Sequence, residues 1–145
     1  MKKLLFFALL IITTFATAQN LNDDLKNMLK TDNATALKKY INSKNINNCY
    51  KIEDAEYTIL ALAIKTNAKS CLTTLLAEKA NVEKACADKT PLMYTAKYGR
   101  LDMAKSLVKA GVKLRARNSK GRSALDYAKK YDKQEIIKYF TSFDQ

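Results

Sequence analysis

Asp88-Lys89-Thr90-Pro91-Leu92-Met93-Tyr94-Thr95-Ala96-Lys97-Tyr98-Gly99, followed by the segment from Leu101 to Gly111, is the stretch from which the fold of this chain can be read. Thr90 carries the hydroxyl that a helix N-cap needs, and Pro91 falls at the first helical position, where a missing N–H costs nothing. Leu92 and Ala96 then lie one turn apart on a single face. Gly99 supplies a stop, because a helix commonly ends on a left-handed residue. Leu101, Ala104, Leu107 and Val108 form the apolar stripe of a second helix, which Gly111 ends. The stretch is a helix–turn–helix unit.

The unit recurs. Ser123-Ala124-Leu125-Asp126-Tyr127 stands 33 residues after the segment from Thr90 to Tyr94. The same offset of 33 pairs Met103 with Ile136, Ala104 with Ile137 and Leu107 with Phe140. Upstream, Thr58-Ile59-Leu60-Ala61-Leu62-Ala63 reproduces the Thr-x-Leu start at an offset of 32, and Cys71, Leu72, Leu75 and Leu76 fill the second-helix stripe. At a further offset of 34, Leu37, Tyr40 and Ile41 occupy matching places between Asn33 and Ser43. An unrelated helical bundle would not hold these starts in register, whereas a period in this range is the signature of a stacked repeat array.

With its Thr-Pro-Leu box, and Met93 where the consensus has His, the central unit resembles an ankyrin repeat. The resemblance implies an all-α repeat solenoid of stacked ankyrin-type helix-turn-helix units joined by short β-turn fingers. The units are expected at about 20–50, 51–83, 84–116 and 117–145, within one repeat domain over 19–145. The first unit lacks the box. Its leading helix is expected over about Leu21 to Lys30, with Asp23 and Asp24 placing negative charge at the positive helix end, as befits a polar terminal cap. In the last unit the second helix is expected from Lys133 to about Thr141, with Phe140 and Phe143 folding back onto the preceding helices. Met93 cannot make the hydrogen bonds of the family's His and is expected to pack between units as a flexible filler.

The fingers implied are Asn45 to Glu56, Asn81 to Lys89 and Lys113 to Arg122. Asn118-Ser119-Lys120-Gly121 reads as a turn on its own chemistry, with Gly121 at positive φ. Ser123 with Asp126 three residues on reads as a capping box. In a segment without any acid from Met103 to Leu125, Lys105, Lys109, Lys113, Arg115, Arg117, Lys120 and Arg122 gather. Alternation puts Lys113, Arg115 and Arg117 on one side of an extended finger. Arg115, Arg117, Lys120 and Arg122 are therefore candidate docking residues, against the plainer reading of a solvated loop.

Tyrosine repeats as well: Tyr94 pairs with Tyr127 and Tyr98 with Tyr131, each on a first helix. In ankyrin proteins that layer lines the concave face. Tyr94 and Tyr127 are expected to be buried, while Tyr98 and Tyr131 are the candidate partner contacts, tyrosine combining large area with few rotamers.

Catalysis finds little support. Histidine is absent from all 145 residues, which removes Ser–His and Cys–His nucleophile pairs and the commonest metal ligand. Three glycines and one proline leave no material for a phosphate-cradling loop. Glu53, Asp54 and Glu56 cluster, but in a solvated finger, without the desolvated pocket that separates carboxyl pKa values or the ligand spacing that calcium requires. No cofactor, metal or catalytic residue is expected.

The first 18 residues read as an export signal: Lys2 and Lys3, an apolar run from Leu4 to Phe15, then Ala16-Thr17-Ala18 before Gln19. The unbroken apolar part, Leu4 to Ile12, is shorter than the roughly 20 residues of a membrane span. Cleavage would leave a soluble, periplasmic or secreted monomer with no membrane segment. Loss of the two lysines lowers the formal charge only from +12 to +10, so anionic partners are favoured, and export disfavours nucleic acid among them. An acidic protein surface is the leading expectation. The alternative is a basic envelope accessory protein that binds anionic polysaccharide or lipid head groups.

Export also bears on Cys49, Cys71 and Cys86, since an oxidising compartment favours disulfides. Cys71 lies in an apolar stripe and reads as a small buried hydrophobe. Cys49 and Cys86 hold near-equivalent places in consecutive fingers, so stacking could bring them within the roughly 4.4–6.8 Å Cα separation of a disulfide. Three free thiols are the alternative.

Overall fold

The computed structural model describes residues 23–144. The expected signal segment, Gln19 and the expected start of the first helix at Leu21 lie outside them. Helix α1 covers 23–30, followed by α2 (Ala34–Tyr40) and a hairpin of β1 (Tyr50–Ile52) and β2 (Ala55–Tyr57). Then come α3 (Ile59–Thr66), α4 (Lys69–Ala77), α5 (Pro91–Tyr98), α6 (Leu101–Lys109), α7 (Ala124–Lys130) and α8 (Gln134–Thr141), with a 3₁₀ turn at Ser142–Asp144. The first helices stack in one layer, α3 on α5 on α7. The second helices form the other layer, where α2 packs on α4 and α6 on α8.

Each first helix from α3 onward opens on the residue type that physical chemistry demands. Thr58, Thr90 and Ser123 are extended at the N-cap and accept from the N–H three residues on, at 3.0, 3.3 and 3.2 Å. Ser123 and Asp126 complete the reciprocal box, the Ser123 N–H donating to Asp126 Oδ2 at 2.8 Å. After each first helix one residue turns left-handed: Asp32 at φ 50°, Asn67 at 60°, Gly99 at 69° and Asp132 at 53°. Only one of the four is glycine. Asp and Asn tolerate this region better than other side chains, which is why the turn recurs without a glycine signal.

The core runs through the stack rather than to a centre, as stability summed over neighbouring units requires. Leu60, Ile64, Leu92, Met93, Ala96, Met103, Leu107, Ile136 and Phe140 are buried in it. Each large apolar side chain so buried contributes roughly 1.5–3 kcal/mol. Met93, 1% exposed, is packed into the core as expected, in the place where the family consensus has His. Tyr94 and Tyr127 are buried as expected. Phe143 meets the expectation only in part: it sets its ring edge-to-face with Tyr139 of the preceding helix at 5.2 Å, yet it is 44% exposed. It stands in the 3₁₀ turn beyond α8, where no further described helix covers it.

Adjacent units are also stitched by polar contacts. The Asn81 N–H donates to Asn47 Oδ1 at 2.7 Å, the Lys113 N–H to Glu83 Oε1 at 2.5 Å, and the Ser119 N–H to Asp88 Oδ1 at 2.9 Å. Cys49 and Cys86 sit in disulfide geometry across the first two fingers, their Cα atoms 5.9 Å apart. Helix α4 shows why such ties matter. Its N-cap is Ala68, which has no polar side chain to offer, and Asp32, from the α1–α2 turn of the preceding unit, supplies the cap instead. Its carboxylate accepts from the N–H of Ser70 at 3.0 Å and of Cys71 at 2.8 Å.

Burial alone would raise the Asp32 pKa, but the hydrogen bonds from Ser70 and Cys71 outweigh it and hold the carboxyl below its ordinary value. A carboxyl depressed in the folded state adds stability above its unfolded pKa, and that stability is lost as pH falls through the folded one. Acid should therefore weaken the wild type more than Asp32→Asn, in which the amide oxygen keeps an acceptor without the charge. Urea unfolding at pH 6 and pH 3 checks this; an equal acid loss in both proteins would refute the capping role.

Candidate functional site

Two groups of exposed or half-exposed side chains stand out, one on the first-helix layer and one in the third finger. On the layer, tyrosine rings meet both within and between units, the half-exposed Tyr98 resting on buried ones. Tyr57, at the end of β2, meets Tyr94 of α5 at 5.4 Å between ring centroids, and Tyr94 stacks on Tyr98 at 6.2 Å with the rings 8° from parallel. Tyr98 is half-buried. Tyr131, at 37%, is more exposed, and it caps the C-terminus of α7 rather than lying within the helix.

Lysines complete this row. Lys97 Nζ stands 5.2 Å from the Tyr98 ring centre and 5.8 Å from that of Tyr131, thereby bringing the two candidate tyrosines into one cluster. Lys130 lies 5.6 Å from Tyr131, and Lys65 lies 4.7 Å from Tyr57. Such ammonium–ring contacts are worth about 0.5–1 kcal/mol at exposed sites. Arg100 braces the floor by donating to the carbonyls of Ile64 and Lys65 at 3.4 and 3.5 Å, at the negative end of α3. Burial, together with Tyr57 and Tyr131, pushes the Tyr98 phenol up, so it stays a neutral donor at physiological pH. Sequence reasoning missed Tyr57 and the three lysines. A signal was present: Lys65, Lys97 and Lys130 each stand seven residues after the cap residue of their helix.

The third finger shows the expected alternation. Lys113, Arg115 and Arg117 are exposed, while Leu114 and Ala116 between them are half-buried. The four candidate docking residues are not equivalent, however. Arg115 Nη2 pairs with Asp144 Oδ1 at 2.7 Å. Arg117 Nη1 donates to the Gly121 carbonyl at 2.6 Å and lies 3.4 Å from Asp126 Oδ2. Lys120 and Arg122 are exposed with no carboxylate within 4.0 Å among the described residues. Arg115 and Arg117 also border a shallow cavity of about 250 Å³ whose floor is Leu114, Leu125 and Phe140. The basic finger is thus half braced by its own fold and half free, a division that sequence distance concealed, since Arg115 and Asp144 are 29 residues apart.

Glu53 and Asp54 form the exposed turn of the β1–β2 hairpin, and Glu56 is exposed on β2. Among the described residues no group of three or more His, Cys, Asp or Glu side chains is placed to hold a metal ion. Cys71 is fully buried; burial, with Asp32 beside it, pushes its thiol up to about 12, which leaves it an inert apolar side chain near neutrality. No described helix is long and apolar enough to cross a membrane.

A family model for ankyrin repeats in three copies matches residues 25–118 and, overlapping these, 80–144. No curated protein matches the chain.

Proposed function

The chain belongs to the ankyrin repeat family, and from that premise we propose that it is an exported interaction module that grips a protein partner along its concave face and fingers. Ankyrin repeats are in general non-enzymatic protein-binding modules. What carries the reading here is the row of Tyr98, Lys97 and Tyr131, large polar-tipped side chains left accessible on the layer that family members use for contact. The partner surface is acidic, because the unneutralised charges of this layer and of the third finger are cations. Export rests on the signal-like segment at the start of the chain. Fold by itself does not fix function, so the site must be tested directly.

Changing Tyr98 and Tyr131 together to Ala should weaken binding of a captured partner by tenfold or more, as truncation of central aromatic anchors does. Stability should fall by only about 1–2 kcal/mol, since neither ring is fully buried. Calorimetric titration alongside thermal unfolding distinguishes the outcomes: a large stability loss with unchanged affinity per folded molecule would make these tyrosines packing residues.

The formal charge of +12 favours one second reading, a basic accessory protein that holds anionic polysaccharide or lipid head groups. Here the free finger cations discriminate. Reversing Lys120 and Arg122 to Glu should slow association with a protein partner several-fold at low salt and leave dissociation nearly unchanged, because rim charges act on encounter. Loss of all binding, to any polyanion, would favour the second reading.

A further inference from the structure

Lys65, Lys97 and Lys130 occupy one register in the first helices of three successive units: each lies in the last turn of α3, α5 or α7, seven residues after the cap. None has a carboxylate within 4.0 Å among the described residues, although five other cations do. Each stands over a tyrosine ring instead. Helix-dipole stabilisation asks only for a cation in the last turn, which Lys129 also supplies in α7. It does not select one register in three helices, nor an aromatic neighbour for each. Lys65 also donates to the Tyr57 hydroxyl at 3.5 Å. The arrangement is a ladder of ammonium groups without carboxylate partners, one rung in each of the last three units.

Because α3, α5 and α7 pack side by side and the axes of packed helices lie about 8–10 Å apart, a register shared by these helices recurs along the layer with about that helix spacing. A polyproline-II chain has three residues per turn and a rise of about 3.1 Å per residue, so every third side chain returns to the same face after about 9 Å. A β-strand repeats its faces after about 6.6 Å and falls out of step with the ladder. Polyproline-II segments are also the kind of chain that aromatic-lined grooves receive, since they are extended before binding. We propose that the ligand of this face is an acidic polypeptide segment in polyproline-II conformation, with a carboxylate at every third residue meeting Lys65, Lys97 and Lys130 in turn. The residues between the carboxylates lie against Tyr98 and Tyr131. This deepens the interaction-module reading and rests on it.

The probe is a fluorescent synthetic peptide, four repeats of Glu-Pro-Pro, titrated into the purified protein at fixed moderate salt. Its control has the same composition with the four glutamates contiguous. The periodic peptide should bind at least fivefold more tightly than the clustered one. Lys65→Gln/Lys97→Gln/Lys130→Gln should weaken the periodic peptide tenfold or more, while Lys39→Gln/Lys84→Gln/Lys109→Gln, which removes the same charge from exposed positions elsewhere, should cost under threefold. All six lysines are at least partly exposed, so both variants should melt close to the wild type. Equal binding of the two peptides, or equal losses in the two variants, overturns the ladder. Failure of both peptides, with the Tyr98 and Tyr131 double variant still losing a captured protein, overturns the ladder and leaves the interaction-module reading standing. Binding of heparin through the three lysines, with neither peptide bound, overturns both in favour of a polysaccharide ligand.

Discussion

Replacing Tyr94 with Ala is expected to destabilise the protein by about 3–5 kcal/mol, the range for deleting a large buried aromatic side chain. Tyr94 is 2% exposed and lies between Tyr57 and Tyr98 in α5, the helix that touches α3, α6 and α7. Removing its ring opens a void at the junction of three units and breaks two aromatic contacts, each worth about 0.5–1.5 kcal/mol beyond area. Because stability in a stacked array depends on neighbour interfaces, damage there cannot be confined to one unit. Tyr94→Phe keeps the ring and should cost no more than about 1 kcal/mol. Urea unfolding of both variants decides the matter: a loss below 1 kcal/mol for Tyr94→Ala would mean that the layer is not packed as described.

The second large effect concerns Cys49 and Cys86. Their side chains are in disulfide geometry across 37 residues of sequence. Reduction or Cys49→Ser should lower stability by about 4 kcal/mol in the chain-entropy model. For a domain of this size that corresponds to a fall in melting temperature of roughly 15 °C. The bond spans α3 and α4 and ties the first finger, which follows the unit lacking a Thr-Pro-Leu box, to the second. Cys71→Ala, at a buried position outside the pair, should leave the effect of reductant intact. Peptide mapping without reductant tests the chemistry itself, and three alkylatable thiols in the unfolded, unreduced chain would rule the bond out.

Much of the architecture was legible because it depends on local chemistry that repeats. A cap hydroxyl followed by Leu two residues later, at offsets of 32 and 33, located α3, α5 and α7 within a residue of where they lie. What escaped depended on contacts between units. Nothing in the sequence around α4 says that its cap comes from Asp32, 38 residues before the Ser70 N–H it accepts. The free character of the third finger was overstated for the same reason, since Asp144 and Asp126 reach back to Arg115 and Arg117. Phe143 was read as more buried than it is, because its one aromatic neighbour, Tyr139, covers a single edge of the ring. The site was half legible. Tyr98 and Tyr131 showed as repeated aromatics; Lys97 repeats in sequence too, but its place between the two rings depends on α5 and α7 lying side by side.

The central claim is that the first-helix layer is a protein-binding surface. Quantitative affinity capture from the extracytoplasmic fraction tests it most directly, with wild-type protein and the Tyr98→Ala/Tyr131→Ala variant as parallel baits. A defined protein retained by the wild type and lost from the folded variant is the result predicted. Capture that does not depend on these tyrosines, or no protein retained by either bait, would contradict the claim.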